Sequence, residues 1–312
     1  MNRVLVIKHS ALGDMALAFG PMQAIREAHP DATITLLTTK PFAALSEASG
    51  LFNEIWLDER PKLWRATRVW SLRNRLINGK FDRVYDLQTS NRTAWYFRIL
   101  GTANRPEWSG TVFGCSHPHR DPDRPKMHLV EMQSGQLADA GITDTPLSDL
   151  SWWQSDISNL ALPSSFAVLL PGGAAHRPKK RWPAGKFAVA AQWLSQRGIT
   201  PVVVGGPPAA NEARQICEEC PDALSLIGQT SLMNLAPIMR KAALVLGNDT
   251  GPMHIAALVG ARCVVMFGSD SNPQESRPRH HPGEPAPHVL HVSDLQDLET
   301  SVVIEAVRDI LD

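Results

Sequence analysis

The chain has 312 residues, of which 43% are hydrophobic and 20% are charged. A chain of this length and composition predicts a soluble protein with two domains rather than one hydrophobic core. Basic and acidic residues number 31 each, so no overall field favours nucleic acid as a partner, and any anion-binding region must be local.

Cysteine usage and apolar segments indicate the compartment. The four cysteines are too few and too scattered for a disulfide framework in a chain of this size, which indicates a reducing environment. The first residues lack the apolar core of a signal peptide, and no segment approaches the ~20 apolar residues that span a bilayer. The expected location is the cytoplasm, with membrane contact only at the surface.

Short β-branched runs predict strands along the whole chain. Segments with helical spacing separate most of them, for example 15–28 and 187–197, and this alternation predicts doubly wound parallel sheets. In such sheets, ligands bind beyond the carboxyl ends of the strands. In chain order the predicted strands are Val4–Lys8, Thr33–Leu37, Glu54–Leu57, Arg83–Leu87, Phe166–Leu170, Pro201–Val204, Leu224–Ile227, Ala243–Leu246 and Cys263–Phe267.

The alternation breaks over residues 141–165, where Ser, Asp and Pro are frequent. This segment is interpreted as the linker between two α/β domains, each a doubly wound sheet. The predicted domains are residues 1–155 and 156–293. A helix is predicted over 294–312, and its apolar spacing alone does not say which domain it packs on.

The first predicted strand ends in K-H-S-A-L-G-D, residues 8–14. Gly13 permits a tight turn into the next helix, and Asp14 falls in the first helical turn, where a carboxylate accepts backbone N–H bonds and the helix dipole favours its charge. Asp14 therefore either only stabilises the helix or also acts as a general base. As a base it would accept a proton late, when the attacking hydroxyl becomes acidic in the transition state.

A cationic segment follows the first strand of the second domain. In L-L-P-G-G-A-A-H-R-P-K-K-R-W-P, a glycine turn at Gly172 precedes four basic residues and Pro183, which suits the first position of a helix. Cations beside a helix N-terminus are unfavourable unless an anion lies among them, so the segment predicts a phosphate site; a solvated loop is the alternative. The basic residues are Arg177, Lys179, Lys180 and Arg181.

Two further turns of the second domain begin helices. Glu212 lies early in the helix after V-V-V-G-G, where it either bonds ribose hydroxyls or only favours the dipole. In G-N-D-T-G-P-M-H, Asp249 or Thr250 is placed to cap a helix. Free N–H groups at Thr250 and Gly251 would face a phosphate, with His254 one turn further. Two such helix starts in one domain fit a diphosphate better than either alone.

Residues 60–80 hold seven basic residues and no acidic one, interleaved with Trp64, Trp70 and aliphatic side chains. This pattern suits a basic amphipathic helix at an anionic lipid surface or at a phosphorylated acceptor. A solvated helix that packs its tryptophans inward fits equally well. The basic residues are Arg60, Lys62, Arg65, Arg68, Arg73, Arg75 and Lys80.

Nucleotide and metal motifs of other enzyme classes have little support. The chain has no G-x-G-x-x-G at its first turn and no P-loop, which argues against dehydrogenases and P-loop NTPases. D-P-D at 121–123 lies in a loop, C-E-E-C at 217–220 fits one face of a helix, and the histidines of 115–128 lack paired ligand spacing. No metal is expected. The segments 115–128 and 269–285 have no assigned role.

Together these motifs resemble glycosyltransferase family 9, the heptosyltransferases of lipopolysaccharide core synthesis. The likeness rests on L-G-D at 12–14, K-K-R-W-P at 179–183, K-M-H-L-V-E at 126–131 and above all G-N-D-T-G-P-M-H-I-A-A with the following V-V-M-F-G. It extends over nearly the whole chain. The D-T-G-x-x-H motif is specific, whereas L-G-D alone is not.

The resemblance implies a GT-B fold, with two Rossmann-like domains facing across a cleft and the last helix returning to the first domain. It implies inverting, metal-independent transfer of heptose from ADP-heptose to a lipid A-type acceptor by a monomer at the cytoplasmic face of the inner membrane. Asp14 matches the family's base and Lys180 its donor-phosphate lysine. The implied donor-binding residues are Gly172, Lys180, Glu212, Asp249, Thr250, Gly251 and His254, and the acceptor-binding residues are Lys8, Gly13, Arg60, Lys62 and Arg65.

Two other functions remain open from the residues. The turns do not specify heptose or adenine, so a GT-B enzyme could use another nucleotide sugar. A non-catalytic protein that binds nucleotide sugars or lipids could share the same scaffold, because fold does not fix function. In each case the nucleotide sugar is a substrate or ligand, and no cofactor is expected.

Overall fold

The structure, a computed structural model, describes residues 2–62, 64–173 and 180–312. The chain divides into two compact units, the first ending at Ser148 and the second running from Asp149 to Asp312. In the described part of the chain each unit is built on one six-stranded sheet in which every neighbouring pair of strands is parallel. This is the predicted α/β architecture of two Rossmann-like domains.

The boundary between the units lies within the predicted linker but a few residues before the predicted position at 155. Leu150 and Trp153 are buried, and Trp153 Nε1 donates a hydrogen bond to the Met233 carbonyl at 3.1 Å. Arg240 Nη1 donates to the Trp153 carbonyl at 2.7 Å. These contacts attach the middle of the predicted linker to the second unit.

The sheet of the first unit has the strand order β3-β2-β1-β4-β5-β6. The strands are β1 (Arg3–Ile7), β2 (Thr33–Thr38), β3 (Glu54–Leu57), β4 (Arg83–Asp86), β5 (Glu107–Gly110) and β6 (His117–Pro118). The helices are α1 (Leu12–Ala28), α2 (Ala43–Ala48), α3 (Ala66–Asn78), α4 (Asn91–Ile99) and α5 (Leu129–Ala138).

The second sheet repeats this topology, with the order β12-β11-β10-β7-β8-β9. Its strands are β7 (Phe166–Leu170), β8 (Thr200–Val203), β9 (Leu224–Ser225), β10 (Leu244–Asn248), β11 (Cys263–Phe267) and β12 (His288–His291). Its helices are α6 (Ala184–Ser195), α7 (Ala210–Glu219), α8 (Leu232–Lys241), α9 (Gly251–Leu258), α10 (Pro273–Ser276) and α11 (Thr300–Leu311).

The central strands are buried along their whole length, as expected when helices cover both faces of a parallel sheet. In β7, β10 and β11 every residue is buried. The strand order reverses between β1 and β4 in the first unit and between β7 and β10 in the second. Ligands of doubly wound sheets bind at the carboxyl ends of the strands at such switch points.

The terminal helix α11 packs against α6, β10 and β11 of the second unit, and its return to the first domain stays a prediction of the family resemblance. Val303, Ala306 and Val307 are buried in the core that also contains residues of α6, β10 and β11. The helix completes one face of its own sheet because its apolar stripe meets the apolar face of α6. None of the described helices is long and apolar enough to cross a membrane.

Candidate functional site

Asp14 lies in the first turn of α1, directly beyond the carboxyl end of β1. Its Oδ2 accepts a hydrogen bond from the Ala11 amide at 3.3 Å, so the carboxylate does satisfy one donor at the helix start. About half of the side chain, 51%, stays exposed. Asp14 can therefore stabilise the start of α1 and still be accessible to a substrate.

Lys8, the last predicted residue of the first strand, is buried beneath Asp14. Its Nζ lies 4.0 Å from Asp14 Oδ2 and 3.4 Å from the Leu87 carbonyl, and only 2% of the side chain is exposed. Burial lowers the pKa of Lys8, while the negative charges of Asp14 and Asp86 oppose that effect. Lys8 thus places a buried cation near the Asp14 carboxylate, and its assignment to acceptor binding stays a prediction.

Asp86 ends β4 at the switch point and was not among the predicted site residues. Burial raises its pKa to about 6, against the hydrogen bonds that favour the charged form. Two of these come from the backbone amides of Gln88 and Thr89, at 3.1 and 2.9 Å. Asp86 therefore fixes the turn that follows β4.

Gln88, in that same turn, holds the segment that leads to Asp14. Its Oε1 accepts hydrogen bonds from the amides of His9 and Ser10, at 2.8 and 3.2 Å. A side chain of the turn after β4 thereby holds the backbone of the turn after β1. Residues 9–11 lie between β1 and α1, so this connection helps to position the start of the helix that carries Asp14.

A buried polar cluster lies on the other side of the same segment. His9 Nε2 is 2.9 Å from Asp58 Oδ2, and the Tyr96 hydroxyl donates to the same oxygen at 2.5 Å. Burial alone would raise the pKa of Asp58, but the hydrogen bonds from His9 and Tyr96 outweigh it and hold that pKa below its ordinary value. The Arg60 amide donates to Asp58 Oδ1 at 2.7 Å, so this cluster also anchors the start of the basic segment.

The basic segment is adjacent to the Asp14 turn. Arg60 Nη2 donates to Ser10 Oγ at 3.1 Å, Lys62 Nζ lies 4.8 Å from the centre of the Trp64 ring, and Arg65 precedes α3 as its N-cap residue. The inward packing of the tryptophans, one of the two predicted alternatives, is wrong, since Trp64 is 75% exposed. Helix α3 buries Leu72 and Leu76 instead. Leu63 lies outside the described residues.

In the second unit, Lys180 and Asp249 form an ion pair. Lys180 Nζ lies 3.2 Å from Asp249 Oδ2, and the Ser271 hydroxyl donates to the same oxygen at 2.7 Å. Both members of the pair are largely buried, with 14% and 11% of their side chains exposed. Of the predicted cationic run, Arg177 and Lys179 lie outside the described residues.

Asn248 connects the two strands at the switch point of the second sheet. Its Nδ2 donates to the carbonyls of Pro171 and Gly172, at 2.9 and 3.2 Å, and its Oδ1 accepts from the Trp182 amide at 3.0 Å. This buried amide sets the distance between the glycine turn after β7 and the turn after β10. The two turns predicted to bind the donor are consequently joined by hydrogen bonds of Asn248.

Thr250 is the N-cap residue of α9, yet its side chain makes no capping hydrogen bond. Its Oγ1 is buried and has no hydrogen-bond partner among the described residues. Gly251 and Pro252 begin the helix, and His254 lies one turn further and is 9% exposed. A helix N-terminus with a spare buried hydroxyl suits an anion, because backbone N–H groups and the helix dipole favour negative charge there.

Glu212 is paired, which neither predicted alternative anticipated. Its Oε1 lies 2.7 Å from Arg181 Nη1, and Arg181 Nη2 donates to the Gly173 carbonyl. Glu212 thus holds the arginine that follows Lys180 against the glycine turn. The carboxylate remains 21% exposed.

The histidines of segment 115–128 have partners within the first unit. His119 Nδ1 lies 2.8 Å from Asp139 Oδ2, and His117 Nε2 lies 3.5 Å from Glu107 Oε2. In D-P-D, the Asp123 amide donates to Asp121 Oδ1 at 2.8 Å, which is a local turn. No group of three metal-ligating side chains occurs within residues 2–62, 64–173 and 180–312.

Comparison with known proteins agrees with this architecture. The family model for glycosyltransferase family 9 (heptosyltransferase) matches residues 69–282. The chain is similar to lipopolysaccharide heptosyltransferase 2 of Escherichia coli K12, with 26% identity over 309 residues, 89% of this chain and 86% of that protein.

Two solved structures share the fold over almost their full length. A family 9 glycosyltransferase from Veillonella parvula has a TM-score of 0.82 at 24% identity and covers 99% of this chain and 97% of its own. The Escherichia coli ADP-heptose lipopolysaccharide heptosyltransferase II has a TM-score of 0.80 at 21% identity, with 99% and 98% covered.

The two parallel-sheet units have the GT-B fold, and the family match shows that the chain is a glycosyltransferase. The family model covers more than half of the chain. The chain belongs to glycosyltransferase family 9, the heptosyltransferase family.

Proposed function

We propose that this enzyme transfers heptose from ADP-heptose to a lipopolysaccharide core acceptor of the lipid A type, with inversion and without a metal ion. The observation that carries this proposal is the donor turn of the second unit. There Lys180 is paired with Asp249, and the Thr250 hydroxyl, which has no hydrogen-bond partner among the described residues, lies at the start of α9. The names of the similar heptosyltransferases support heptose and ADP as the sugar and nucleotide.

The second unit would bind the donor diphosphate. Lys180 supplies a cation, Thr250 a hydroxyl and Gly251 a backbone N–H, and together they would stabilise the negative charge that develops on departing ADP. His254, in the first turn of the same helix, would contact the sugar or phosphate. Gly172 gives the backbone room beside the diphosphate, and Glu212 would bond the ribose either directly or through Arg181.

The first unit would supply the base. The acceptor hydroxyl oxygen attacks the anomeric carbon from the face opposite the diphosphate, the bond between that carbon and the β-phosphate oxygen breaks, and the hydroxyl proton passes to Asp14. The exposed half of Asp14 makes this contact possible. Lys8, beneath it, stabilises the carboxylate until the proton is transferred.

The acceptor would bind to the same edge of the first unit. Arg60, Lys62 and Arg65 lie between β3 and α3, and Arg60 contacts the Asp14 segment through Ser10. These cations suit the phosphates of a lipid A-type acceptor. We further propose that the enzyme acts as a monomer in the cytoplasm, with peripheral contact to the inner membrane.

A panel of nucleotide sugars tests this function. The full chain is incubated with ADP-heptose, UDP-sugars or GDP-sugars, with and without a heptose-deficient lipopolysaccharide precursor, and release of nucleotide diphosphate is measured. ADP released from ADP-heptose only with the acceptor supports the proposal. Release of UDP or GDP would instead favour another nucleotide sugar, and donor binding without release in any mixture would favour a non-catalytic protein.

A further inference from the structure

A groove with polar walls lies at the carboxyl edge of the second sheet. The segment after β11 forms one wall, and the end of β12 with the residues that follow it forms the other. The lining residues are Ser269, Ser271, Asn272, His291, Val292 and Ser293. The groove has a volume of about 480 Å³, within the range of ~300–1,000 Å³ that small-molecule sites occupy, and it lies at the edge where such sheets bind ligands.

Backbone hydrogen bonds hold the two walls of the groove together. The Ser269 amide donates to the Ser293 carbonyl at 3.2 Å, and the Val292 amide donates to the Phe267 carbonyl at 3.0 Å. These bonds continue the parallel pairing of β11 with β12, in which every residue of β11 is buried. The groove is therefore part of the folded sheet, and a preformed site loses less entropy when it binds a ligand.

Ser271 connects this groove to the donor turn. Its hydroxyl donates to Asp249 Oδ2 at 2.7 Å, and the same oxygen lies 3.2 Å from Lys180 Nζ. Asp249 directly follows β10, which is the neighbour of β11 in the sheet, at the ~4.8 Å spacing of adjacent strands. The groove consequently borders the proposed diphosphate site.

Three polar side chains of the groove are available to a ligand. Those of Ser269, Ser293 and His291 are exposed and make no hydrogen bond within the described part of the chain. A serine hydroxyl both donates and accepts, and an imidazole can do either, so these groups match the hydroxyls of a sugar. Asn272 differs, because its Oδ1 accepts from the Gln274 amide at 3.0 Å and thereby caps α10.

The order of the parts of a nucleotide sugar indicates which part reaches the groove. In the proposed function, Glu212 in the helix after β8 binds the ribose, and the diphosphate lies at the switch point between β7 and β10. The groove, at β11 and β12, lies on the other side of that switch point from β8. Since the diphosphate joins the nucleoside to the sugar, the sugar would extend toward the groove. This step rests on the proposed function.

We propose that Ser269, Ser293 and His291 bind the hydroxyls of a neutral sugar on the donor. We name these three residues and Ser271 the serine groove. Among the described residues, no lysine, arginine or carboxylate side chain lines it, so the charged group of an amino or acidic sugar would find no partner there. A site that hydrogen-bonds hydroxyls also discriminates against sugars that lack them. The serine groove thus determines which sugar is transferred.

Isothermal titration of the full chain with ADP and with ADP-heptose, without acceptor, tests the serine groove. Ser269→Leu places an apolar side chain in the groove and should weaken ADP-heptose binding at least about tenfold, while ADP affinity stays within about twofold of the unaltered protein. Ser293→Leu should act in the same way from the opposite wall. The double replacement Ser269→Ala with Ser293→Ala removes two hydroxyls without filling the groove and should weaken ADP-heptose binding roughly threefold to tenfold.

Ser301, an exposed serine of α11 in the same unit, provides the matched controls Ser301→Leu and Ser301→Ala. Both should bind ADP and ADP-heptose like the unaltered protein, and the melting temperatures of all variants are compared. Unchanged ADP-heptose affinity in both leucine variants of the groove would overturn the proposal. An equal loss of affinity for ADP and ADP-heptose would also overturn it, because the replacements would then act on the diphosphate site and not on the sugar.

Turnover separates this proposal from the proposed function. If the unaltered protein released no ADP with any acceptor, while Ser269→Leu still weakened the binding of ADP-heptose and not of ADP, the proposed transfer would fail and the serine groove would stand. If the unaltered protein released ADP from ADP-heptose with acceptor, and both leucine variants did so with the same kcat and the same KM for ADP-heptose, the serine groove alone would be contradicted.

Discussion

Lys180 Nζ lies 3.2 Å from Asp249 Oδ2, so the lysine proposed to contact the donor diphosphate is positioned by the carboxylate of the donor turn. The Ser271 hydroxyl holds the same oxygen at 2.7 Å, which fixes the carboxylate on its second side. A lysine side chain has several rotatable bonds, and an ordered partner reduces the entropy lost when phosphate binds.

The first prediction concerns this lysine. Lys180→Met keeps the length of the side chain and removes its charge, and it should weaken ADP binding roughly tenfold to a hundredfold, the range for a lost hydrogen bond to a charged group. Isothermal titration with ADP measures the effect, and the exposed Lys241→Met serves as control. A lower melting temperature with unchanged ADP affinity would reduce Lys180 to a structural partner of Asp249.

Thr250 allows a prediction in which stability and binding change in opposite directions. Its hydroxyl is buried without a partner among the described residues, so Thr250→Val should leave the free energy of unfolding unchanged or raise it by about 1 kcal/mol. The same variant should weaken ADP binding roughly tenfold. Denaturant unfolding and titration are compared with Thr200→Val, at the start of β8. Reduced stability with normal ADP affinity would show that the hydroxyl serves the fold.

Gln88 should act on turnover through the segment that it holds. Gln88→Leu leaves the amides of His9 and Ser10 without their acceptor, and we expect kcat to fall at least about fivefold while donor affinity stays normal. Gln23→Leu, which breaks only an exposed hydrogen bond to Glu27, is the control. If both variants had the same kcat as the unaltered enzyme, the position of Asp14 would not depend on Gln88.

The raised pKa of Asp86 predicts the direction in which the free energy of unfolding changes with pH. Its pKa is about 6 in the folded protein and 3.8 ordinarily, so between these values the folded state binds more protons and the free energy of unfolding falls as pH rises. The full difference is about 3 kcal/mol, reached above pH 6. Relative to Asp86→Asn, the unaltered protein should therefore lose this amount between about pH 4 and 6 in denaturant titrations. Parallel curves for the two proteins would contradict the raised pKa.

The sequence predicts the fold well where strands are buried and apolar. All nine predicted runs overlap strands, because strands covered on both faces need continuous β-branched segments. Strands β5, β6 and β12 were not predicted. β6 has two residues, His117–Pro118, and β12 begins and ends with histidine at an edge of its sheet, where burial does not select apolar side chains.

The sequence predicts less of the site than of the fold. The donor turn is recognisable because D-T-G-P-M-H combines a cap, a glycine and a proline in adjacent positions. Asp86 and Gln88 have no such local pattern, and their roles arise only from the pairing of β4 with β1, which brings the two turns together. The sequence predicts parallel sheets but not the order of their strands. Neither residue could therefore be identified from the sequence. Similarly, the exposure of Trp70 depends on which face of α3 carries Leu72 and Leu76.

The central claim is that Asp14 accepts the acceptor proton, and turnover of Asp14→Asn tests it most directly. With ADP-heptose and acceptor in excess, ADP release by this variant should fall at least about a hundredfold, as expected for loss of a general base, while ADP affinity stays unchanged. Near-normal ADP release by Asp14→Asn, with donor binding intact, would contradict the account.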